Sequence, residues 1–329
     1  MNDLGLEFER KKPIYKKLKK GIVSELTEVL EQNSISLFNL ESRVKDTQSF
    51  IDKVTRKGYQ NPFTEVEDIC GVRLIAYYAS DLDKIHEIIH DEFNVISDSD
   101  KQSEAAEDRF GYASRHYIIE IKKEWLNAPS FRGVQGFKAE IQVRTILMHS
   151  WAAISHKLLY KRESDVPKPI KRKLHRLSAL IELADEQFET IKNAKKFYNE
   201  EVMKKEDNEK KNIELNVDNL MSLVEKYSPG REVYYQGMHD FLEEIKPLNI
   251  SLWDMEQFII KALPVIDSFE ASEVEKNDYE DHQLWNSLGY CRTVLNLTHD
   301  EYFEKFRKSI PSNFEDIVEN TEVYRKRLK

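Results

Sequence analysis

The first part of the chain repeats apolar residues at helical spacing. Apolar positions recur every three or four residues over 14–32 and over 40–57, which predicts two helices. Gly58 follows the second segment, and Asn61-Pro62 marks a loop soon after it. We expect the second helix to turn one apolar face to the core. That face consists of Leu37, Leu40, Val44, Phe50, Ile51 and Val54.

Short runs rich in β-branched and aromatic residues come next and predict the strands of a sheet. The strand candidates are Gly71–Tyr78, Phe93–Ile96, Ala113–Ile121 and Phe137–Arg144. Side chains alternate along a strand, so Glu140, Gln142 and Arg144 share one face of the last candidate. The acidic stretch 98–108 has no apolar period and is predicted to be a mobile loop.

The rest of the chain has helical spacing only. A helix through 149–158 precedes a long amphipathic helix from Ile170 to about Lys205. Its apolar stripe is Leu174, Leu177, Ile181, Ala184 and Phe188. We expect an α+β protein with three parts: a mixed sheet flanked by helices over 1–205, a charged linker over 206–216 and an all-helical domain over 217–329.

Composition and charge narrow the function classes. The net charge of −9 argues against a general nucleic-acid coat, and two cysteines among 329 residues exclude a disulfide framework. The chain has neither an apolar run near the roughly 20 residues that span a bilayer nor a signal-peptide pattern. We expect a cytoplasmic protein without a membrane partner. The basic segments Arg10–Lys20 and Lys168–Arg176 are the candidates for a local phosphate site, and a solvated helix face is the preferred interpretation of both.

Polar motifs lie next to the predicted elements and contain the groups that phosphoryl transfer needs. The first motif, Ser42–Ser49, falls on the second predicted helix. Asp68 and Glu140 belong to later motifs, and magnesium is usually held by one or two carboxylates together with phosphate oxygens. Arg43, Lys45 and Arg73 can neutralise a triphosphate.

The segment before the last strand candidate adds groups that could bind a second substrate. Tyr112 offers a face on which a base can stack, and His116 can donate a hydrogen bond to a phosphate. Each residue taken alone has an ordinary interpretation as a surface charge, an ion-pair partner or a packed ring. The functional prediction therefore depends on the order of the motifs along the chain.

Taken in order, the motifs resemble the synthetase domain of the RelA/SpoT alarmone family. The matching segments are Arg43-x-Lys45-x-x-x-Ser49, Asp68-Ile-Cys-Gly-Val-Arg73, Gly111-Tyr-Ala-Ser-Arg-His116 and Glu140-Ile-Gln-Val-Arg-Thr145. They span roughly residues 40–161. The resemblance implies a nucleotidyltransferase-like sheet and a reaction that moves pyrophosphate from ATP to the ribose 3′-hydroxyl of a second nucleotide.

The resemblance also implies a role for each matching residue. The implied ATP-binding residues are Arg43, Lys45, Ser49, Arg56 and Arg73. Asp68 and Glu140 would be catalytic and would bind Mg²⁺, and Glu140 would help to deprotonate the attacking hydroxyl. The implied acceptor-binding residues are Lys101, Arg109, Tyr112, Ser114, His116, Gln142 and Arg144.

The acceptor half departs from the family pattern and leaves alternatives open. A basic, proline-containing stretch usually precedes the tyrosine, whereas here Glu104, Glu107 and Asp108 would repel a diphosphate. The leading prediction is a GDP or GTP acceptor and a (p)ppGpp-type product. One alternative is a toxin-like relative that modifies the tRNA 3′ end or adenosine nucleotides. Another is a silent nucleotide sensor acting through its helical domain.

The sequence supports a few further expectations. The stretch before residue 40 is too short for the family's hydrolase domain, so we expect a synthetase-only protein. It can form a homo-oligomer, and 217–329 would bind a regulatory protein or act on the enzyme in cis. His90-Asp91, His239-Asp240 and His299-Asp300 lack companion ligands in the sequence and are interpreted as chance pairs.

Overall fold

The computed structural model describes residues 3–100, 114–158, 167–276, 285–310 and 315–329. The chain divides into two compact units, Met1–Lys192 and Asn193–Lys329. Within the described ranges, no helix combines the length and the apolar content that crossing a membrane requires.

The first unit combines one sheet with helices. Its helices are α1 (Asp3–Gln32), α2 (Thr47–Lys57), α3 (Pro62–Glu65), α4 (Ala79–Glu92), α5 (Ile146–Leu158) and the first part of α6 (Lys168–Lys204). Its strands are β1 (Leu37–Val44), β2 (Cys70–Ala76), β3 (Asn94–Asp100), β4 (Arg115–Glu120) and β5 (Ala139–Thr145). A 3-10 turn spans Lys123–Asn127.

The five strands form one mixed sheet in the order β1-β2-β5-β4-β3. Only β2 and β5 run parallel, and the other neighbours are antiparallel. Buried and half-exposed residues alternate along the first part of both central strands. Val72 and Ile141 therefore enter the hydrophobic core with Leu18 and Ile22 of α1, while the intervening polar residues face the other side of the sheet.

The structure confirms most of the predicted elements of this unit and corrects three. Residues 40–44 were predicted to be helical, but they lie in β1, and the helix begins only after Asp46 caps it. Pairing of β1 with β2 over Leu37–Val44 provides hydrogen-bond partners for the backbone. This tertiary pairing overrides the helical spacing of the apolar residues in the segment. The predicted end of the helix at Gly58 is confirmed, because Gly58 adopts a left-handed conformation with φ 67°.

The second correction concerns β3, which continues to Asp100 and so includes the start of the predicted loop 98–108. Asp98 pairs with Tyr117 of β4, so ladder hydrogen bonds hold a polar stretch that has no apolar alternation of its own. The helix predicted from residue 14 also begins earlier, at Asp3, with Pro13 inside it.

The second unit has helices only among its described elements. They are the end of α6, then α7 (Asp207–Lys210), α8 (Val217–Tyr227), α9 (Tyr235–Ile245), a 3-10 helix (Lys246–Leu248), α10 (Leu252–Lys276), α11 (Ser287–Thr298), α12 (Asp300–Ser309) and α13 (Glu315–Arg327). Met238, Phe241, Ile259 and Val294 are at the centre of its core, each fully buried. The α+β architecture followed by a helical region is thus confirmed.

The tract 206–216, expected to be a linker, is packed into this second unit. Lys210 of α7 is buried, and its Nζ lies 2.7 Å from Glu256 Oε2. Lys226 Nζ lies 2.7 Å from the other oxygen of the same carboxylate. At least one charged residue of the tract therefore forms a buried ion pair and is not a solvated linker residue.

Candidate active site

A polar pocket of about 260 Å³ lies on the sheet face opposite the core. It is lined by Glu41, Ser42, Arg43, Asp68, Gly71, Val72, Arg73, Glu140 and Gln142. Five of the residues singled out in the sequence therefore meet in one place: Arg43, Asp68, Arg73, Glu140 and Gln142. They come from β1, β2, β5 and the loop before β2.

The strand register explains why these side chains meet. Arg43 pairs with Gly71, and Gly71 pairs with Glu140, so the three residues form one row across the sheet. Paired residues on neighbouring strands point to the same face. Because Gly71 has no side chain, the pocket has open space between Arg43 and Glu140.

A second row lies two residues away on the same face. Glu41 pairs with Arg73, Arg73 with Gln142, and Gln142 with His116 of β4. Residues two apart in a strand share a face, so this row and the row through Glu140 border the same pocket. Glu41 was not anticipated from the sequence, although its position two residues before Arg43 is a signal once β1 is known to be a strand.

Asp68 is held between two lysines. Its Oδ2 lies 3.0 Å from Lys45 Nζ, and its Oδ1 lies 2.9 Å from Lys53 Nζ. Burial raises the pKa of Asp68, but the hydrogen bonds from Lys53 and Lys45 lower it by more, so the pKa lies below its ordinary value. The carboxyl group is therefore an anion at neutral pH.

Lys53 also belongs to the site, although the sequence motifs did not predict it. It lies on α2, four residues after Ser49 and three before Arg56, which places the three residues on one side of the helix. Ser49 N and Oγ donate to the Asp46 carboxylate at 2.8 and 2.7 Å, while Arg56 is exposed. Neither Ser49 nor Arg56 lines the pocket.

Glu140 lies opposite Asp68 in the same pocket. His116 Nδ1 is 2.8 Å from Glu140 Oε1, and Gln142 Nε2 donates to Oε2 at 2.9 Å. Burial raises the pKa of Glu140, and the hydrogen bond from His116 leads the interactions that lower it below its ordinary value. The charge of Asp68 acts in the opposite direction, which reflects how near the two carboxylates are.

Two guanidinium groups surround Gln142. Arg73 Nη1 lies 2.6 Å from Glu41 Oε2, and its Nε donates to Gln142 Oε1 at 3.4 Å. Arg144 Nη2 donates to the same Gln142 oxygen and, at 3.5 Å, to Ser114 Oγ. Burial, together with the charge of Arg73, lowers the pKa of Arg144 to about 10. Arg144 remains cationic at neutral pH, and the two guanidinium groups favour an anionic ligand.

The described part of the expected acceptor site continues this network. Ser114 Oγ is 2.6 Å from His116 Nε2, so Ser114, His116 and Glu140 form a hydrogen-bonded chain. Lys101, Arg109 and Tyr112, which were also expected to bind the acceptor, lie outside the described residues.

A basic groove of about 480 Å³ lies beside the pocket. It is lined by Lys12, Lys16, Lys19, Lys20, Val23, Ser42 and Val44. Lys16 and Lys20 are exposed, as expected for the basic segment of α1. Ser42 borders both the groove and the pocket, so the lysines of α1 add positive charge near one end of the site.

Asp68 and Glu140 have the donor chemistry that a magnesium ion prefers. Both are anionic carboxylates, both line the same pocket, and magnesium binds through oxygen ligands. Lys45 and Lys53 contact the two Asp68 oxygens, so a cation that binds Asp68 would share these oxygens with the lysines or replace one of the contacts.

Comparison with known proteins identifies the family. The protein-family model described as "Region found in RelA / SpoT proteins" matches residues 42–165 of this chain. The chain is 34% identical over 158 residues to the GTP pyrophosphokinase YwaC of Bacillus subtilis, covering 46% of this chain and 72% of the relative. It is 30% identical over 155 residues to the GTP pyrophosphokinase YjbM of the same organism, covering 46% and 69%.

Among solved structures, the small alarmone synthetase 2 of Bacillus subtilis is similar, with 28% identity and a TM-score of 0.49 over 57% of this chain and 99% of that one. The family match ends at residue 165, so the second unit lies beyond it. Since the chain covers more than two thirds of two relatives that are at least 30% identical to it, the chain belongs to the RelA/SpoT family.

Proposed function

We propose that this protein transfers the β,γ-pyrophosphate of ATP to the ribose 3′-hydroxyl of GDP or GTP and forms a (p)ppGpp-type alarmone. The main support is the pocket on the open face of the sheet. There the anionic carboxylates of Asp68 and Glu140 lie with Arg43 and Arg73. The relatives YwaC and YjbM, both GTP pyrophosphokinases, support the same reaction class.

Asp68 and Glu140 would hold the magnesium ion, which supplies charge compensation to the phosphate oxygens when it is bound. The lysines on Asp68 have a second use in this proposal. When a carboxylate oxygen turns to the metal, Lys45 or Lys53 becomes available for a phosphate oxygen at the same place. The pocket can thus exchange an internal ion pair for contacts with the substrate without leaving a buried charge uncompensated.

Arg43 and Arg73 would neutralise the triphosphate from the β1 and β2 side. Phosphoryl transfer needs little covalent chemistry from the protein, because positioning and charge compensation provide most of the rate. Gln142 contacts Glu140, Arg73 and Arg144, so it would fix the orientation of three charged groups at once. We infer that Gln142 positions the charged groups and that Arg144 supports them through Gln142.

In the transfer step, the 3′-oxygen of the acceptor forms a bond to the β-phosphorus of ATP. The bond from that phosphorus to the oxygen bridging the α- and β-phosphates breaks, and AMP leaves with this oxygen. The hydroxyl proton passes to Glu140, whose Oε1 is already oriented by His116. The lowered pKa keeps Glu140 anionic at neutral pH, so this oxygen can accept the proton.

A label-transfer assay tests the proposal. The full-length protein is incubated with magnesium and ATP labelled at the γ-phosphate, and GDP, GTP, AMP, ADP or bulk tRNA is offered separately. Label on GDP or GTP is the expected result. Label only on an adenosine nucleotide or on tRNA would overturn the acceptor assignment, and label on none of them with folded protein would overturn the enzymatic proposal itself.

An amide substitution tests the metal assignment. Asp68→Asn should lower transfer by about 100-fold or more, because it removes a charge worth several kcal/mol of transition-state stabilisation. Asp52→Asn is the matched control, since Asp52 is an exposed residue of the neighbouring helix α2. Equal activity in the two variants would contradict the role of Asp68.

A further inference from the structure

Two histidines and an aspartate converge at the other side of the sheet. His86 and His90 lie on α4, and Asp98 lies on β3. Asp98 Oδ2 is 3.6 Å from His86 Nδ1 and 3.5 Å from His90 Nε2. The two imidazole centroids are 4.4 Å apart. His90 was interpreted from the sequence as part of a chance pair with Asp91, but the fold supplies two companions for it.

The spacing of these atoms matches that of ligands around a small metal ion. Zinc binds histidine nitrogen and carboxylate oxygen at about 2.0–2.2 Å, so neighbouring ligand atoms of a tetrahedral site lie about 3.4 Å apart. The distances from Asp98 to the two rings are close to that value. They are also longer than a good hydrogen bond, so the carboxylate and the rings are not in their best direct hydrogen-bonding contact.

The spacing of His86 and His90 along α4 suits two nitrogen ligands of one metal ion. His86 and His90 are four residues apart, so they lie one turn apart on the same side of α4. The segment His86-Glu87-Ile88-Ile89-His90 has the H-E-x-x-H spacing, in which two helical histidines can bind one zinc ion. Ile88 and Ile89 are buried, which anchors this turn of the helix to the core.

The sheet fixes the third ligand and separates the cluster from the pocket. Asp98 pairs with Tyr117 of β4, so these two residues share a face of the sheet. His116, the neighbour of Tyr117 in the strand, pairs with Gln142 on the pocket face. Adjacent residues of a strand point to opposite faces, so Asp98 and the pocket lie on opposite sides of the sheet.

Two further polar groups surround the cluster. The Tyr117 hydroxyl is 3.0 Å from His86 Nδ1, and Tyr117 is fully buried. Arg115, two residues before Tyr117 in β4, reaches Asp83 at 3.6 Å, next to the helix turn that carries His86. A metal ion held by the three ligands would leave a fourth position, which the Tyr117 hydroxyl or a water molecule can fill.

We propose that His86, His90 and Asp98 bind one divalent transition-metal ion of the zinc type, at a site separate from the phosphate-transfer pocket. Two imidazoles and one carboxylate favour zinc, cobalt or nickel over magnesium, which prefers oxygen ligands. The ion joins α4 to β3 and so stabilises the first unit. This site does not depend on the proposed transferase function.

Cobalt binding tests the proposal directly. The full-length protein is stripped of metal with a chelator and titrated with Co²⁺ in excess Mg²⁺, so that Mg²⁺ competes for the carboxylates of the pocket. We expect one Co²⁺ per chain, with visible absorption bands of a low-coordinate site that disappear when Zn²⁺ is added. The temperature of unfolding should rise with Zn²⁺.

Variants at exposed positions distinguish this site from adventitious binding. His90→Ala and Asp98→Asn should each weaken Co²⁺ binding by about 100-fold or more and abolish the effect of Zn²⁺ on unfolding. His239→Ala is the matched control, because His239 is an exposed helical histidine that also precedes an aspartate. Failure of the folded wild-type protein to bind Co²⁺ would overturn the proposal, as would equal binding by His90→Ala and His239→Ala.

Discussion

Ionisation of Asp185, on α6, should make the unfolding free energy of the first unit depend on pH. Its side chain is almost fully buried, with 5% exposure for the residue, and Thr145 Oγ1 donates to its Oδ2 at 2.6 Å. The same hydroxyl accepts from Met148 N at 3.1 Å, as an N-cap residue of α5 does. Asp185 thus attaches α6 to the junction of β5 and α5, directly after the strand that carries Glu140.

Burial raises the pKa of Asp185 from 3.8 to about 7. The neutral carboxyl is therefore favoured in the fold, and stability is lost as pH rises from the unfolded pKa to the folded one. A pKa difference of about three corresponds to about 4 kcal/mol in total. Of this, about 2.5 kcal/mol falls between pH 5 and pH 8, because the unfolded carboxyl is already mostly ionised at pH 5.

Asp185→Asn should remove this dependence, since the amide oxygen still accepts from Thr145 and carries no charge. Relative to wild type, the variant should become more stable by about 2.5 kcal/mol on going from pH 5 to pH 8. Hydrogen exchange of peptides from β5, corrected for intrinsic rates, measures the stability of the first unit alone. Glu186→Gln, at the exposed neighbouring position, should show no such change.

An equal difference in unfolding free energy between Asp185→Asn and wild type at the two pH values would contradict the raised pKa of Asp185. A constant difference would mean that the Asp185 carboxyl is ionised in the native protein at pH 5 and that its burial is compensated.

Three further substitutions test other parts of the fold and the site. Arg231→Ala should destabilise the second unit by about 3–5 kcal/mol in urea unfolding, because Glu270, held at 2.7 Å, would remain buried without its cation. Gly21→Ala should cost about 1–3 kcal/mol by the same measurement, since the new Cβ would lie 2.5 Å from the Phe131 ring. Arg73→Lys should lower kcat/KM for label transfer by about tenfold, because an ammonium group cannot replace the two contacts of the guanidinium.

Strands with a continuous apolar or alternating pattern could be predicted from the sequence, and β1 could not. β2 and β5 are rich in β-branched residues, and both are confirmed within two residues of their predicted ends. β1 has no such pattern, and its polar residues make contacts only after pairing with β2. The spacing of apolar residues within a segment cannot reveal a strand that is stabilised by pairing with another strand about 30 residues away.

The same limit applies to the site. Motif order alone brought Asp68, Arg73 and Glu140 together as candidates, and the structure places all three in one pocket. Glu41 and Lys53 were not predicted because only their contacts place them in the site. Glu41 pairs with Arg73 on the neighbouring strand, and Lys53 pairs with Asp68 just before β2. Such partners depend on register and on helix rotation, which short sequence patterns do not determine.

Register also explains how one sheet can carry two unrelated polar sites. Neighbouring residues of β4 face opposite ways, so His116 contributes to the pocket with Glu140, while Tyr117 contributes to the cluster with His86. A shift of one residue in the pairing of β4 would exchange the two and place Tyr117 beside Glu140. The hydrophobic residues of the same strand, Ile119 among them, prevent that shift, because it would move them out of the core. Core packing therefore fixes the side chains of both faces, and a substitution that loosened the β4 core should impair the proposed pyrophosphate transfer and the proposed metal binding together.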